Sequence, residues 1–328
     1  MQTVAFLLTL AVIFVNGWTD APNAIAGCIA TRALSPPKAV GLSALCNFLG
    51  VWVTSRLHLG VAHTVGQIAA VEPQTAAGAA VLCGALTAVA IWGIAAWAFG
   101  VPTSESHGLL AGLAGAGLAA NKVTEGLTFA PWAKVLWGLF GSITGGFLLG
   151  FWLTKWVERA FCKVNRQKSG PFWDAAQIVA GAAMSFMHGA QDGQKFLGLL
   201  LLLLPPKASI IPLWAVAVCA LGMGLGTSAG GYKIIKTVGL KMVVVQKHQG
   251  FCADLAGAIS LLGSTLLSWP VSTTHTKTAA LLGAGATKGL RSVHWDTVLQ
   301  LPLAWVLTFP ACGSLGYVAT KIFLRFGG

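Results

Sequence analysis

Apolar runs that are long enough to cross a membrane fill most of this 328-residue chain, and one short polar pattern interrupts two of them. The pattern reads Asn16-Gly17…Asp20…Asn23, and it returns 172 residues later as His188-Gly189…Asp192…Lys195. A carboxylate within an apolar run of this length is costly to bury, so it marks a functional site. Asp20 and Asp192 therefore predict a duplicated site inside a membrane protein.

Composition supports a membrane protein and excludes other classes. Hydrophobic residues make up 55% of the chain, charged residues only 9%, and the mean hydropathy is +0.75. The runs are rich in Gly and Ala, which lets transmembrane helices pack closely. The net charge of +12 arises from bases in the loops between apolar runs, so it does not indicate nucleic-acid binding. The seven cysteines show no CxxC spacing and predict neither a metal site nor a disulfide framework.

The order of the runs predicts an all-α polytopic fold. Two runs contain the Asp pattern and are predicted as helices broken at 16–23 and 188–195. Two further segments are helix pairs with a polar tip, Pro102-Thr-Ser-Glu-Ser-His107 and Pro270-Val-Ser-Thr-Thr-His275. The predicted spans are 4–31, 39–56, 76–120, 132–154, 174–204, 209–230, 251–287 and 295–320.

Three landmarks recur in the same order, which predicts a duplicated half. They are the Asp pattern, a Pro-Pro-Lys-Ala turn at 36–39 and 205–208, and the polar tip, at offsets of 172, 169 and 168 residues. Such nearly constant offsets are the signature of an internal repeat. We predict a first repeat at residues 1–157, a basic linker at 158–172 and a second repeat at 173–328.

The distribution of Lys and Arg predicts that the repeats are inverted. If each tipped pair is a re-entrant hairpin, each half crosses the membrane three times, and the odd number inverts the second half. With the linker in the cytoplasm, thirteen of the 21 bases are cytoplasmic and six are outside, while Lys195 and Lys277 stay within the membrane. This agrees with the positive-inside rule. Both termini are then predicted to lie outside. If the hairpins instead spanned the membrane fully, most of the excess of Lys and Arg on the cytoplasmic side would disappear.

Hydroxyl residues at the two tips predict an anion site. Thr103-Ser104 and Ser272-Thr273-Thr274 stand where half-helices begin after proline, and the free N–H groups of a helix start attract oxyanions. Inverted repeats with interrupted helices near the midplane are the design of secondary transporters. The alternative is that these residues only cap helix ends.

The four motifs together resemble those of the inorganic phosphate transporters of the PiT type. Asn16-Gly-Trp-Thr-Asp20-Ala-Pro-Asn23 is similar to the first signature of that family, and His188-Gly-Ala-Gln-Asp192-Gly-Gln-Lys195 is similar to the bacterial form of the second. The tips resemble the two hairpin loops of the family, and the resemblance covers essentially the whole chain. It implies two inverted repeats, each with a broken helix and a re-entrant hairpin, in a homodimer that moves phosphate with Na⁺ or protons.

The resemblance also implies roles for individual residues. Substrate-binding residues are expected at Thr103, Ser104, Glu105, Ser272, Thr273 and Lys195, and coupling-ion or proton residues at Asp20, Asn23, Asp192, Gln191 and Asn16. No cofactor is expected beyond Na⁺ at Asp20, Asn23 and Asp192. Thr19 and Gln191 replace the asparagine that the family usually has before each aspartate, which removes two oxygen ligands for Na⁺.

Two charged residues refine the prediction. Lys195 stands at the repeat position of Asn23, so an ammonium beside Asp192 replaces a bound cation and favours protons; the alternative is a side chain that reaches the interface. Glu105, when ionised, accepts a hydrogen bond from the O–H groups of phosphate but repels sulfate, which has none. If burial keeps Glu105 protonated, sulfate becomes acceptable. We expect either a proton-relay role or a structural role for the histidines at 107, 188 and 275, and the sequence favours neither role.

We therefore expect a secondary transporter that imports inorganic phosphate across the cytoplasmic membrane, with protons or Na⁺. A sulfate permease of the same family is the first alternative. An intramembrane hydrolase built on Ser106 and His107 and a passive anion channel are alternatives from other classes. The hydrolase is disfavoured because adjacent residues on a helix do not face one another.

Overall fold

A computed structural model describes residues 1–69, 74–120, 129–164, 169–204, 212–238, 245–289 and 295–326. Helices dominate this part of the chain, which contains no strand. In chain order they are α1 Gln2–Thr19, α2 Pro22–Ala30, α3 Pro36–Leu57, α4 Gly60–Ala69, α5 Ala76–Phe99, α6 Glu105–Ala119, α7 Phe129–Ala160, α8 Gly170–Leu202, α9 Leu213–Ser228, α10 Tyr232–Lys236, α11 Lys247–Leu266, α12 Thr273–Ala286, α13 Trp295–Val298 and α14 Gln300–Phe326.

The all-helical membrane fold is confirmed. Five segments are long and apolar enough to cross a membrane among the residues described, namely Gln2–Ala30, Pro36–Leu57, Ala76–Phe99, Trp132–Ala160 and Leu301–Phe326. Large apolar side chains face outward on α7 and α14, for example Trp137, Trp152 and Val306. The second Pro-Pro-Lys-Ala turn, at 205–208, lies outside the described residues.

The predicted helix break is confirmed in the first repeat and is wrong in the second. The first helix ends at Thr19, and α2 begins at Pro22, which has no N–H to continue the helical ladder. In contrast, α8 runs without interruption over 33 residues through the predicted break at 188–195. The repeat position of Pro22 is occupied by Gln194, which keeps its N–H. The second polar pattern is therefore presented by one continuous helix.

Each polar tip joins two helices into a hairpin, as predicted. The returning helices α6 and α12 have 15 and 14 residues, which gives lengths of about 21–23 Å and is too short for a hydrocarbon core of about 30 Å. Gly100 and Ser268, at equivalent positions in the two tips, both have left-handed backbones with φ near 60–68°. The Thr237 hydroxyl donates to the Gly100 carbonyl at 2.8 Å, and the Thr64 hydroxyl donates to the Ser268 carbonyl at 3.1 Å.

The two repeats exchange their packing partners. Helix α14 packs against the first hairpin, α5 and α6, while α7 packs against the second hairpin, α11 and α12. Helix α3 packs against α8, and its counterpart α9 packs against α1. Glycines allow these contacts, because a Cβ on Gly189 would lie 2.7 Å from the Asn47 Cα atom, and a Cβ on Gly17 would meet the backbone of Met223. The broken helix and α8 therefore lie side by side at the centre of the molecule.

Helices extend into both ends of the predicted linker. Helix α7 continues to Ala160 and α8 begins at Gly170, so residues 158–160 and 170–172 of the predicted linker at 158–172 are helical. Residues 165–168 lie outside the described part of the chain. The last predicted span, 295–320, is also shifted, since α14 extends from Gln300 to Phe326.

Candidate functional site

The two repeated aspartates meet at one buried cluster. Asp20 caps the C-terminus of α1, Asp192 lies within α8, and their exposed fractions are 3% and 1%. The Thr273 hydroxyl at the second tip is 3.1 Å from Asp20 Oδ2 and 3.1 Å from Asp192 Oδ2. A hydroxyl carries one proton, so Thr273 can donate to only one carboxylate at a time. Both repeats and one tip therefore share a single site.

His188 lies between the two carboxylates. Its Nε2 atom is 3.3 Å from Asp192 Oδ2 and 3.9 Å from Asp20 Oδ2, and its Nδ1 atom is 2.8 Å from Asn47 Oδ1. The Asn47 amide group donates to hydroxyls of Ser43 and Thr227 at 3.2 Å each, which fixes its oxygen toward the imidazole. An amide oxygen only accepts, so Nδ1 carries a hydrogen and Nε2 is left to exchange a proton with the carboxylates.

Lys195 joins α8 to both tips. Its ammonium donates to Asp192 Oδ1 and Ser106 Oγ at 2.6 Å each and to the carbonyl oxygen of Val271. Ser106 belongs to the first hairpin and Val271 to the second. The ammonium therefore bonds to α8 itself and to both hairpins. With an exposed fraction of 2%, the side chain does not reach a membrane interface. The interfacial alternative is therefore wrong, and Lys195 belongs to the buried cluster.

Glu105 lies on the other side of Asp20. Its Oε1 atom accepts a hydrogen bond from the Thr19 hydroxyl, while Oε2 is buried without a hydrogen-bond donor among the described residues. Beside it is a cavity of about 10 Å³, lined also by Thr103 and Trp97, which is large enough for about one water molecule. Phosphate does not fit into this cavity.

The tip serines cap the two returning helices. Ser104 Oγ accepts from the His107 N–H, and Ser272 Oγ accepts from the His275 N–H, at 3.2 Å in both tips. The capping role considered as an alternative is therefore confirmed for both serines. Each serine hydroxyl still has its own hydrogen to donate. The remaining N–H groups of the first helical turn point out of the same helix N-terminus. The tips combine two caps with two helix N-termini.

The predicted amides occupy different places. The Asn23 amide donates to Asp20 Oδ1 at 2.7 Å, and the Asn16 amide donates to Asp192 Oδ2 at 3.3 Å. Gln191 instead donates to the carbonyl of Trp269 at 3.1 Å, so it positions the second tip and does not contact the aspartates. All eleven predicted site residues are buried, with exposed fractions of 8% or less.

Two contacts within the cluster were not predicted, that of Thr274 with Asp20 and that of Asn47 with His188. Thr274 donates to Asp20 Oδ1 and accepts from Asn23 at 3.2 Å, which locks the α1–α2 break against the second tip. Asn47 sets the orientation of His188, as described above. The signal for Asn47 was present in the sequence, because Ser43 and Asn47 are two polar residues four positions apart in an apolar helix.

The histidines of the two tips pack against each other and against a tryptophan ring. The rings of His107 and His275, at equivalent repeat positions, are 4.5 Å apart, and the His275 ring is 3.6 Å from the ring of Trp305. Of the three candidate relays, only His188 contacts the carboxylates. His107 does not bond to the Ser106 hydroxyl, which instead contacts Lys195 and the Val271 carbonyl. The geometry required for a Ser-His hydrolase is therefore not formed.

Known proteins match this chain along its whole length. The sequence profile of the Phosphate transporter family matches twice, at residues 16–172 and 163–316. A probable low-affinity inorganic phosphate transporter of Bacillus subtilis strain 168 is 37% identical and covers 95% of this chain and 94% of its own. A protein of Rhizobium meliloti strain 1021 with the same description is 36% identical, with 95% and 96% covered.

A solved structure has the same fold. It is described as the sodium-dependent phosphate transporter, and it superimposes with a TM-score of 0.87 over 99% of both chains at 21% identity. At that identity the likeness concerns the fold. The family follows instead from the double profile match and from relatives that are more than one-third identical over nearly their full length. This chain belongs to the phosphate transporter family.

Proposed function

We propose that this protein imports inorganic phosphate across the cytoplasmic membrane by proton symport. The observation that carries the proposal is the single buried cluster to which both repeats and both tips contribute, built from Asp20, Asp192, His188 and Lys195. Two helix N-termini supply donors for an oxyanion, and the carboxylates and the imidazole supply proton-exchanging groups. Alternating movement of the repeats around this cluster would then expose it to each side in turn.

Glu105 favours phosphate over sulfate when its carboxyl group is ionised. Its Oε2 atom is buried and receives no hydrogen bond from the described residues, while Oε1 is held by Thr19. Hydrogen phosphate and dihydrogen phosphate carry O–H groups that can donate to this oxygen, whereas sulfate offers only acceptors. A buried acceptor without a donor costs free energy, so the ligand that satisfies it binds better.

Lys195 favours protons over Na⁺. Its ammonium lies 2.6 Å from Asp192 Oδ1, so a fixed cation already neutralises this carboxylate. The Asp20 carboxylate accepts from Asn23, Thr273 and Thr274, which leaves few lone pairs for a metal ion. Asp20, Asp192 and His188 do lie close enough together to share one cation, and Na⁺ dependence is therefore a defined outcome of the experiment below.

The membrane arrangement is part of the proposal. We place the linker in the cytoplasm and both termini outside, with inverted repeats, because this orientation satisfies the positive-inside rule. The apolar outer faces of α7 and α14 would contact lipid and a second copy of the chain in a homodimer. The packing exchange, in which each of these helices covers the hairpin of the other repeat, supports the inverted relation.

Purified protein in liposomes tests the function. Labelled phosphate and sulfate are offered with a pH gradient or a Na⁺ gradient imposed separately, and accumulation inside is measured. We expect phosphate to accumulate with the pH gradient and sulfate to be excluded. Asp192→Asn should abolish this accumulation, whereas Asp174→Asn, which changes a carboxylate in a partly exposed ion pair, should retain it.

Each alternative gives its own result in this assay. Accumulation driven only by Na⁺ would refute proton coupling, and sulfate uptake equal to phosphate uptake would refute the role of Glu105. Flux that never exceeds equilibrium would identify a passive channel. Normal accumulation by Asp192→Asn would show that the cluster is not the coupling site.

A further inference from the structure

A second charged cluster lies inside the protein, away from the site described above. Asp254 of α11 forms an ion pair with Lys277 of α12 and accepts a hydrogen bond from the Gln177 amide of α8. The side chains of the pair are 1% exposed or less, and Gln177 is fully buried. Helix α2 completes the enclosure, because a Cβ on Gly27 would lie 2.7 Å from Asp254 Oδ2. Four helices thus surround one carboxylate and one ammonium.

The first repeat has no charge at the equivalent positions. The thiol of Cys28 on α2 also lies beside Gln177. With the offsets of the tips and of the Asp pattern, the counterparts of Asp254, Lys277, Gln177 and Cys28 are Leu86, Leu109, Ala5 and Leu200. All four belong to one apolar core cluster and are 1% exposed or less. The fold is therefore stable with apolar residues at this place. Because a buried ion pair is weak evidence for stability and intramembrane charges are costly, the pair calls for a functional explanation.

The pair lies one helical turn from the Asp20 site. On α12, Thr274 bonds to Asp20, and Lys277 follows three residues later on the same face. On α2, Asn23 bonds to Asp20, and Gly27, which touches Asp254, follows four residues later. Two helices that hold Asp20 therefore both lead to the pair, at a distance of about one helical pitch, or roughly 5 Å along the axis.

On its other side the pair faces the linker end of the molecule. Asp254 is the eighth residue of α11, which places it about 10 Å from the start of that helix. Gln177 packs against Gly250, and the neighbouring Gln249 donates to the Thr287 hydroxyl at 3.2 Å. Thr287 lines a surface cavity of about 340 Å³, together with Glu158 and His248. Polar side chains, of which Gln177 and Gln249 are fully buried, thus lie between the pair and this cavity, which we call the linker cavity.

We infer that Asp254 and Lys277 form a proton relay between the Asp20 site and the linker cavity, an additional proton-binding site that only the second repeat contains. The inference rests on the proposed proton symport. In the relay, the Lys277 ammonium gives a proton to the Asp254 carboxylate, and the resulting carboxylic acid releases it toward the linker cavity. The Lys277 amine then takes a proton from the Asp20 side. One proton has moved, and both groups regain their charges.

Few other groups among the described residues can exchange protons at the relay. Helices α11 and α12 contribute the pair itself, and α8 contributes Gln177, which does not titrate. Helix α2 contributes the Cys28 thiol, whose sulfur is 3.6 Å from the Gln177 amide nitrogen. At the linker cavity, Glu158 and His248 lie 3.5 Å apart and can pass the proton to water.

The test replaces the pair with the residues of the first repeat, in the variant Asp254→Leu with Lys277→Leu. Proteoliposomes report two activities: exchange of phosphate across the membrane at equal pH, which needs no net proton movement, and net uptake driven by a pH gradient, with internal acidification followed by a dye. We expect exchange to remain and pH-driven uptake to fall about 100-fold, the usual contribution of a positioned proton-transfer group. The surface-pair variant Asp174→Ala with Lys247→Ala should retain both activities.

A second variant, Asp254→Asn with Lys277→Gln, removes the charges but keeps the polar contacts, and it serves if the leucine variant does not fold. It should likewise retain phosphate exchange and lose pH-driven uptake. Wild-type levels of pH-driven uptake and acidification in a folded variant would overturn the relay. Loss of exchange together with uptake in both folded variants would also overturn it, because the pair would then belong to the anion site. Failure of the proposed function looks different, since wild-type protein itself would show no pH-driven phosphate uptake.

Discussion

Two lysines of this protein hold a carboxylate at the same distance in opposite surroundings, which allows a matched experiment. Lys195 is 2.6 Å from Asp192, with side chains 2% and 1% exposed, while Lys247 is 2.6 Å from Asp174, with side chains 40% and 32% exposed. Lys195→Met leaves Asp192 as a buried charge without its cation, which costs about 3–5 kcal/mol. Lys247→Met removes a solvated pair worth about 0–1 kcal/mol.

Thermal unfolding of the purified protein in detergent measures the difference. At roughly 2 °C per kcal/mol for a chain of this length, Lys195→Met should lower the midpoint by about 6–10 °C and Lys247→Met by at most about 2 °C. The double variant Lys195→Met with Asp192→Asn should recover part of the loss, because no uncompensated charge remains. Equal shifts for the two lysine variants, or no recovery in the double variant, would refute the reasoning that burial decides the strength of the pair.

Two further predictions concern the helix contacts that position the site. Gly189→Ala would place its Cβ 2.7 Å from the Asn47 Cα atom, so α3 and α8 must separate at a cost of about 1–3 kcal/mol, and phosphate uptake should fall as Asn47 moves from His188. Gly41→Ala, which meets no atom within 4 Å, is the matched control and should keep or raise the unfolding midpoint; similar behaviour of the two variants would contradict the close α3–α8 contact. Ser104→Ala with Ser272→Ala removes both caps, at about 1 kcal/mol each, and should raise the KM for phosphate more than it changes the number of protons moved per phosphate. Uptake kinetics measure both quantities, and an unchanged KM would show that the serines only cap their helices.

Sequence reasoning identified most residues of the buried cluster because polar residues are conspicuous in apolar runs. Asp20, Asp192, Lys195 and the two tips were all recognised in this way, and the structure brings them together. The helix break was less predictable. Similar polar patterns occur in both repeats, but only the first contains a proline, Pro22, that interrupts the backbone ladder, so charge pattern and backbone geometry are separate signals.

Partners across the molecule could not be predicted from the chain alone. Lys277 was noticed as a base within the membrane, but its partner Asp254 lies 23 residues earlier on the opposite arm of the hairpin. His188 and Asn47 are 141 residues apart, and they meet because α3 and α8 pack closely. Such pairs are set by tertiary packing, which local hydrophobic periodicity does not encode.

The asymmetry of the repeats suggests how binding and opening are connected. Lys195 is carried by the continuous helix α8 and bonds to Ser106 of one tip and the Val271 carbonyl of the other, so neither tip can leave α8 without breaking a charge-assisted hydrogen bond. An oxyanion that enters between the tips offers its own oxygen to the ammonium and can replace the bond that is lost. In contrast, Asp20 is carried by the interrupted segment between α1 and α2, where it accepts hydrogen bonds from Thr273 and Thr274 of the second tip. In the proposed transport cycle, the fixed cation on α8 would thus link anion binding to release of a tip, and the carboxylate at the break would lose its contacts to Thr273 and Thr274 when that tip moves away.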